Sequence, residues 1–181
     1  MNNEELLEAA KEAGFEHYGL LDIKTVHLLP QVREMCKKNT CGMYGKNWGC
    51  PPGCGTLKEC EEKVSRFSEG LIVQTVGKLE DSFDFEGITE AGDKHKERFI
   101  MLRDILNNNY KEVLPLGAGA CTICKECTYP NEPCRFKDKA ISSMEAYGIL
   151  VSDLCKDNGV AYYYGPDTIS FTSCFLLLPN Q

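Results

Sequence analysis

Histidine is scarce in this chain: three among 181 residues, at His17, His27 and His95, with no shared metal-ligand spacing. They are expected at the surface or in satisfied structural positions. No Ser-His-Asp pattern and no alignable Cys-His pair occurs, so there is no hydrolase or acyl-transfer signature. Basic charge is also in deficit. The formal net charge of −7 and a pI near 5.1 argue against a nucleic-acid backbone or an anionic membrane surface as the main partner, since either selects a basic face. No apolar stretch approaches the length of a membrane span, and the acidic start from Met1 to Glu8 lacks the basic, apolar and small-residue parts of an export signal. A cytoplasmic protein is expected. There is no internal repeat and no low-complexity linker, and with 43% hydrophobic residues the chain can bury a core as one domain over 1–181 without needing metal to fold.

Cysteine is abundant instead. Eleven cysteines would ordinarily mean a disulfide framework, but that needs an oxidising compartment the sequence shows no route to, and an odd count forbids complete pairing within one chain. Metal–thiolate chemistry in a reducing, anaerobic cytoplasm accounts for both facts. The most informative segment, within a Cys-rich stretch at 117–140, is Cys121, Cys124, Cys127 and Cys134, a Cys-x2-Cys-x2-Cys-x6-Cys run. Three thiols at three-residue steps wrap one face of a small inorganic cluster and the fourth closes it, as in a [4Fe–4S] site. Tetrahedral zinc is the alternative, although its usual form is two separated Cys-x2-Cys knuckles. In two-cluster ferredoxins the fourth cysteine of such a run serves a different cluster. Here the gap from Thr128 to Pro133 is long enough to return Cys134 to the same cube. Lys125, Arg135, Lys137 and Lys139 lie close enough in sequence to offset the charge of the thiolates. Gly117 and Gly119 let backbone N–H groups approach the cluster sulfides. As a nucleotide loop this pair is discounted, because the third glycine is missing and no helix follows.

A second cysteine-rich segment at 36–60 holds Cys36, Cys41, Cys50, Cys54 and Cys60, too many to explain as packing. Cys50-Pro51-Pro52 holds one thiol on a rigid turn, and Cys54 precedes an expected helix N-terminus that favours a bound anion. Cys60 reads as a core residue, as do Cys155 and Cys174 inside apolar periodic segments. If only Cys36, Cys41 and Cys50 bind, a second cluster keeps one iron without a protein ligand.

Periodicity predicts helices at 3–13, from Pro30, from Leu57 until Gly70 stops the segment, around 90–108, near 137–146 and near 149–157. Thr56 and Glu59 have capping-box spacing. Strands are expected at Phe15 to Leu21, Leu71 to Val76 and Val113 to Ala120, followed by a terminal hairpin of 160–164 and 168–178 turning at Gly165-Pro166-Asp167. The acidic, aromatic stretch from Glu80 to Glu86 reads as a solvated loop. The fold class is α+β: a mixed or antiparallel sheet, flanking helices and cysteine-rich cluster-binding loops.

The stretches Cys41-Gly-Met-Tyr-Gly-Lys-Asn-Trp-Gly-Cys50-Pro-Pro, Leu116-Gly-Ala-Gly-Ala-Cys121, Pro133-Cys134-Arg135 and Ser143-Met144-Glu145-Ala146 resemble the DUF2284 family of predicted metal-binding proteins, in the same order through most of the chain. The resemblance implies metal-ligand roles for Cys121, Cys124, Cys127 and Cys134, and for Cys36, Cys41 and Cys50. Cys54 and Cys60 fall outside the common pattern. Met144 and Glu145 belong to the signature, with no chemistry assigned to them beyond packing or hydrogen bonding near a cluster.

Three functions follow as expectations. The first is an iron–sulfur protein passing single electrons to a redox partner protein, its acidic surface suited to a basic patch. The second is a redox enzyme with an open-iron cluster near residues 36–54, in reductive desulfurisation or the activation of a corrinoid or other metal centre. The third is a structural zinc module.

Overall fold

One strand, apolar on both faces, organises the molecule. In β5 (Thr168–Leu178) the residues Cys174, Phe175, Leu176 and Leu177 are all fully buried, and a strand buried on both sides needs a layer on each face of its sheet. A computed structural model describes residues 1–180. Its single five-stranded sheet has the order β1 (His17–Leu20), β2 (Glu69–Lys78), β5, β3 (Glu112–Gly117), β4 (Ser142–Ser143). Neighbours run antiparallel except β3 and β4, which are parallel. The fold is α+β with a mixed sheet.

The register sorts the core into two layers. Leu71 opposite Phe175 faces α1 (Asn3–Glu12) and α4 (Phe85–Asn109), where Leu6, Phe99, Leu102 and Leu106 complete one apolar layer. Ile72 opposite Cys174 faces α3 (Leu57–Val64) and α5 (Val151–Asp157), with Cys60, Leu154 and Cys155 in the second. Cys60, Cys155 and Cys174 thus sit among apolar side chains. α1 and α3 each start at a complete capping box, Asn2 with Glu5 and Thr56 with Glu59, which satisfies otherwise orphaned N–H groups. α2 (Pro30–Lys37) opens on proline at its first turn, where the missing N–H costs nothing.

Three expectations fail. Residues 160–164 do not pair with β5, because both edges of β5 are already taken by β2 and β3. They are held instead by Gln74, whose Nε2 donates to the Ala161 carbonyl at 2.9 Å and whose Oε1 accepts from the Tyr164 hydroxyl at 2.6 Å. The helix expected near 137–146 is a loop, then β4, then a 3₁₀ turn at Glu145–Tyr147. Ser143 Oγ accepts from the Ala146 N–H at 3.1 Å, a local bond that competes with helix. Gly70 does not stop α3, which ends at Val64. It lies inside β2, where a Cβ would come within 2.8 Å of Leu21 Cδ2.

Leu102 on α4 has no exposed surface and packs in the first layer. Leu102→Ala should lower unfolding free energy by about 2–5 kcal/mol, measured by urea denaturation followed by circular dichroism.

Candidate metal centre

β3 delivers the chain at Gly117 directly beneath Ile141, leaving no room for a side chain: a Cβ there would lie 2.9 Å from Ile141 Cγ2. Gly119 adopts φ +81°, a left-handed conformation that glycine alone takes without strain. No helix follows. Among the described residues, no backbone N–H from Ala118 to Cys127 has a hydrogen-bond partner within the chain. The segment then folds back on itself: Glu132 N–H donates to the Thr128 carbonyl at 3.0 Å, and the Thr128 hydroxyl donates to the Pro133 carbonyl at 3.0 Å. Arg135 Nη1 donates to the Glu126 carbonyl at 2.9 Å, tying the two ends of the loop together rather than lining its interior. This turn returns Cys134 to the others, and Cys121, Cys124, Cys127 and Cys134 line one pocket together with Asn47, Trp48 and Phe136. Among the described residues no three Cys, His, Asp or Glu side chains converge closely enough to hold a single ion.

The roof of that pocket comes from the other cysteine-rich segment. Asn47 Oδ1 accepts from the Gly49 N–H at 3.0 Å, shaping a tight turn. Trp48 donates its indole N–H to the Glu132 carbonyl at 3.1 Å and packs edge-on against Tyr129 at 4.9 Å. Gly49 is pressed against both partners: a Cβ would collide with the Ile141 carbonyl and lie 3.3 Å from Cys121 Cβ.

The remaining thiols gather behind the same turn. Cys36 Sγ donates to the Glu145 carbonyl at 3.6 Å, and Cys54 Sγ to the Ala146 carbonyl at 3.5 Å. Burial raises the Cys50 pKa, Asn47 opposes that rise, and Cys41, Cys54 and Cys121 are close enough for their charges to add to it. Cys36 is raised by burial and then by Glu145, with Cys41 and Cys50 also near. Cys41 and Cys50 thus lie within electrostatic reach of Cys36, and Cys41, Cys54 and Cys121 within reach of Cys50. Arg33 reaches into this group: it donates to Cys54 Sγ at 3.4 Å, Cys60 Sγ at 3.9 Å, the Gly55 carbonyl at 2.6 Å and the Ala146 carbonyl. Cys60 Sγ donates to the Cys54 carbonyl at 3.8 Å; the neighbouring Cys60 and burial push the Cys54 pKa up, while Cys54 and the positive charge of Arg33 draw Cys60 down. Met144 is fully buried in the core beneath, and Glu145 contributes its backbone.

A family model described as a predicted metal-binding protein, DUF2284, matches residues 19–177. The chain belongs to the DUF2284 family. The DUF2284 match takes in all eleven cysteines. A solved structure of epoxyqueuosine reductase from Bacillus subtilis is similar with a TM-score of 0.45 and 10% identity, over 98% of this chain and 47% of that one, so the DUF2284 chain spans about half the length of that reductase. Among curated proteins there is no match.

Of the three histidines expected at the surface or in satisfied structural positions, His95 is of the second kind, whereas Arg33 was missed. His95 is buried on α4, its Nδ1 3.1 Å from Thr75 Oγ1 and its Nε2 2.7 Å from Ser173 Oγ. Its partners lie on β2 and β5, so no local spacing marks it. A helical repeat carries one hint, since His95, Phe99, Leu102 and Leu106 share the buried face of α4. Arg33 precedes every cysteine in the chain, so no motif spacing marks it.

Burial, aided by Arg98, depresses the His95 pKa to about 4. The folded state therefore keeps the imidazole neutral, while the unfolded chain takes up a proton near pH 6.5. Stability should fall as pH drops from about 6.5 to about 4, by about 3 kcal/mol in total from this group. Urea midpoints across that window should fall more steeply for the native chain than for His95→Gln.

Proposed function

We propose that this protein holds a [4Fe–4S] cluster on Cys121, Cys124, Cys127 and Cys134 and passes electrons singly to a redox partner protein in the cytoplasm. The observation that carries this reading is that all four thiols of one Cys-x2-Cys-x2-Cys-x6-Cys run line a single pocket. The donor set fits the group: four sulfur ligands, with a run of backbone N–H groups beside them that have no partner among the described residues. Donors of that kind stabilise the added negative charge of a reduced cluster and so raise its potential. The cluster would supply one-electron transfer. The protein's part is to fix the ligands through the Thr128–Pro133 turn, cover the pocket with the Asn47–Gly49 turn, and lower the local charge with Lys125, Lys137 and Lys139. A net charge of −7 suits a basic partner surface, which would speed encounter at low salt.

Anaerobically purified protein should contain about four irons and four acid-labile sulfides for this site, and about eight if Cys36, Cys41 and Cys50 carry a second cluster. Cys124→Ser should remove most of the first four and the reversible reduction seen by voltammetry. Colourless protein retaining zinc would sink the proposal in favour of a structural zinc module.

A second reading, an enzyme with an open-iron cluster on Cys36, Cys41 and Cys50, is favoured by Arg33, which among the described residues bonds to Cys54 and Cys60 but to none of those three thiols. Added cyanide should then shift the electron paramagnetic resonance spectrum of the reduced protein, and that shift should disappear in Cys41→Ser. An unchanged spectrum would rule out this reading.

A further inference from the structure

Between α4 and the segment from Gly117 to Ile123 lies a second cavity, of about 160 Å³, which shares Cys121 and Ile123 with the cysteine pocket. Phe99, Ile100, Ile123 and Ile141 supply its apolar lining, and His95 and Ser173 its buried polar groups. A cavity of roughly 150 Å³ lined by Leu, Ile and Phe takes up benzene, so this volume suits a single ring.

The polar end has a definite capacity. His95 commits both ring nitrogens within the protein, to Thr75 and to Ser173, and Thr75 also accepts from Arg98 Nη1 at 3.4 Å. A neutral imidazole donates at one nitrogen and accepts at the other. In either tautomer, Ser173, which is fully buried at the cavity wall, gives His95 a lone pair or its hydrogen and keeps the other kind of capacity unspent. No further partner of Ser173 Oγ exists among the described residues. A ring substituent that both donates and accepts, such as a hydroxyl, satisfies either case. Charge is not invited: Lys96 at the wall is exposed and already paired with Asp93 at 3.0 Å.

We propose that this cavity binds an uncharged, single-ring molecule carrying a hydroxyl or equivalent substituent, anchored by Ser173 and His95 and seated against Cys121. The cavity argument is independent of the metal. That the cavity lies beside a redox centre rests on the function proposed above.

Phenol and benzene, titrated into anaerobically purified protein and followed by saturation-transfer difference NMR, test the site. Phenol should bind about tenfold more tightly than benzene, the worth of one net hydrogen bond. Ser173→Ala should abolish that preference. Ile100 is 45% exposed, so Ile100→Trp can fill the cavity from its edge and should eliminate both ligands at an unchanged melting temperature. Equal affinities in the native protein, or phenol binding that survives Ile100→Trp, would overturn the proposal. Iron content of the same samples separates the two claims: phenol bound by iron-free protein upholds the cavity and overturns the electron-transfer reading, and iron-loaded protein that ignores phenol does the reverse.

Discussion

The close approach of Gly49 to Cys121 is the constraint on which the cysteine face depends. None of the cysteines in the two segments lies in the sheet, and what unites the segments is one residue without a side chain, wedged between the Ile141 carbonyl and Cys121. Trp48 fixes the approach from one side through Glu132 and Tyr129. Asn47 fixes it from the other by shaping the turn. Any larger residue at position 49 must push the two segments apart, opening the pocket of Cys121, Cys124, Cys127 and Cys134 and separating Cys50 from Cys121 together.

Much of this was legible in the sequence because it is local. The helices α1 to α5 follow apolar periodicity and capping signals, and the return of Cys134 follows from the length of the Thr128–Pro133 gap. The misjudged elements turn on long-range pairing. Residues 160–164 look like a strand by composition, but whether they pair depends on β2 and β3 occupying both edges of β5, which no local window contains. Residues 137–146 look helical until Ser143 is seen bonding to the Ala146 N–H. The second thiol group was legible as a group. Its internal division, with Cys54 and Cys60 drawn to Arg33, was not, because Arg33 meets them only through tertiary folding.

The sheet joins chemistry on its two sides. On the α4 side, the Thr75–His95–Ser173 group places buried polar atoms where apolar packing would be simpler, and burying such groups is tolerated only when each finds a partner. On the opposite side, Arg33 places a cation among thiols and backbone carbonyls. Cys121 lies between, at the exit of β3, bordering the four-thiol pocket, the second thiol group and the ring-sized cavity at once.

Neither apolar layer contains any residue from 121–134. The sheet and its helices are complete before that loop is counted, so on the proposed assignment the chain can fold first and receive its inorganic cargo later, from a donor that needs to engage only the loop. On the same assignment, oxygen that strips the loop leaves behind a scaffold ready for refilling, and damage there calls for repair rather than resynthesis.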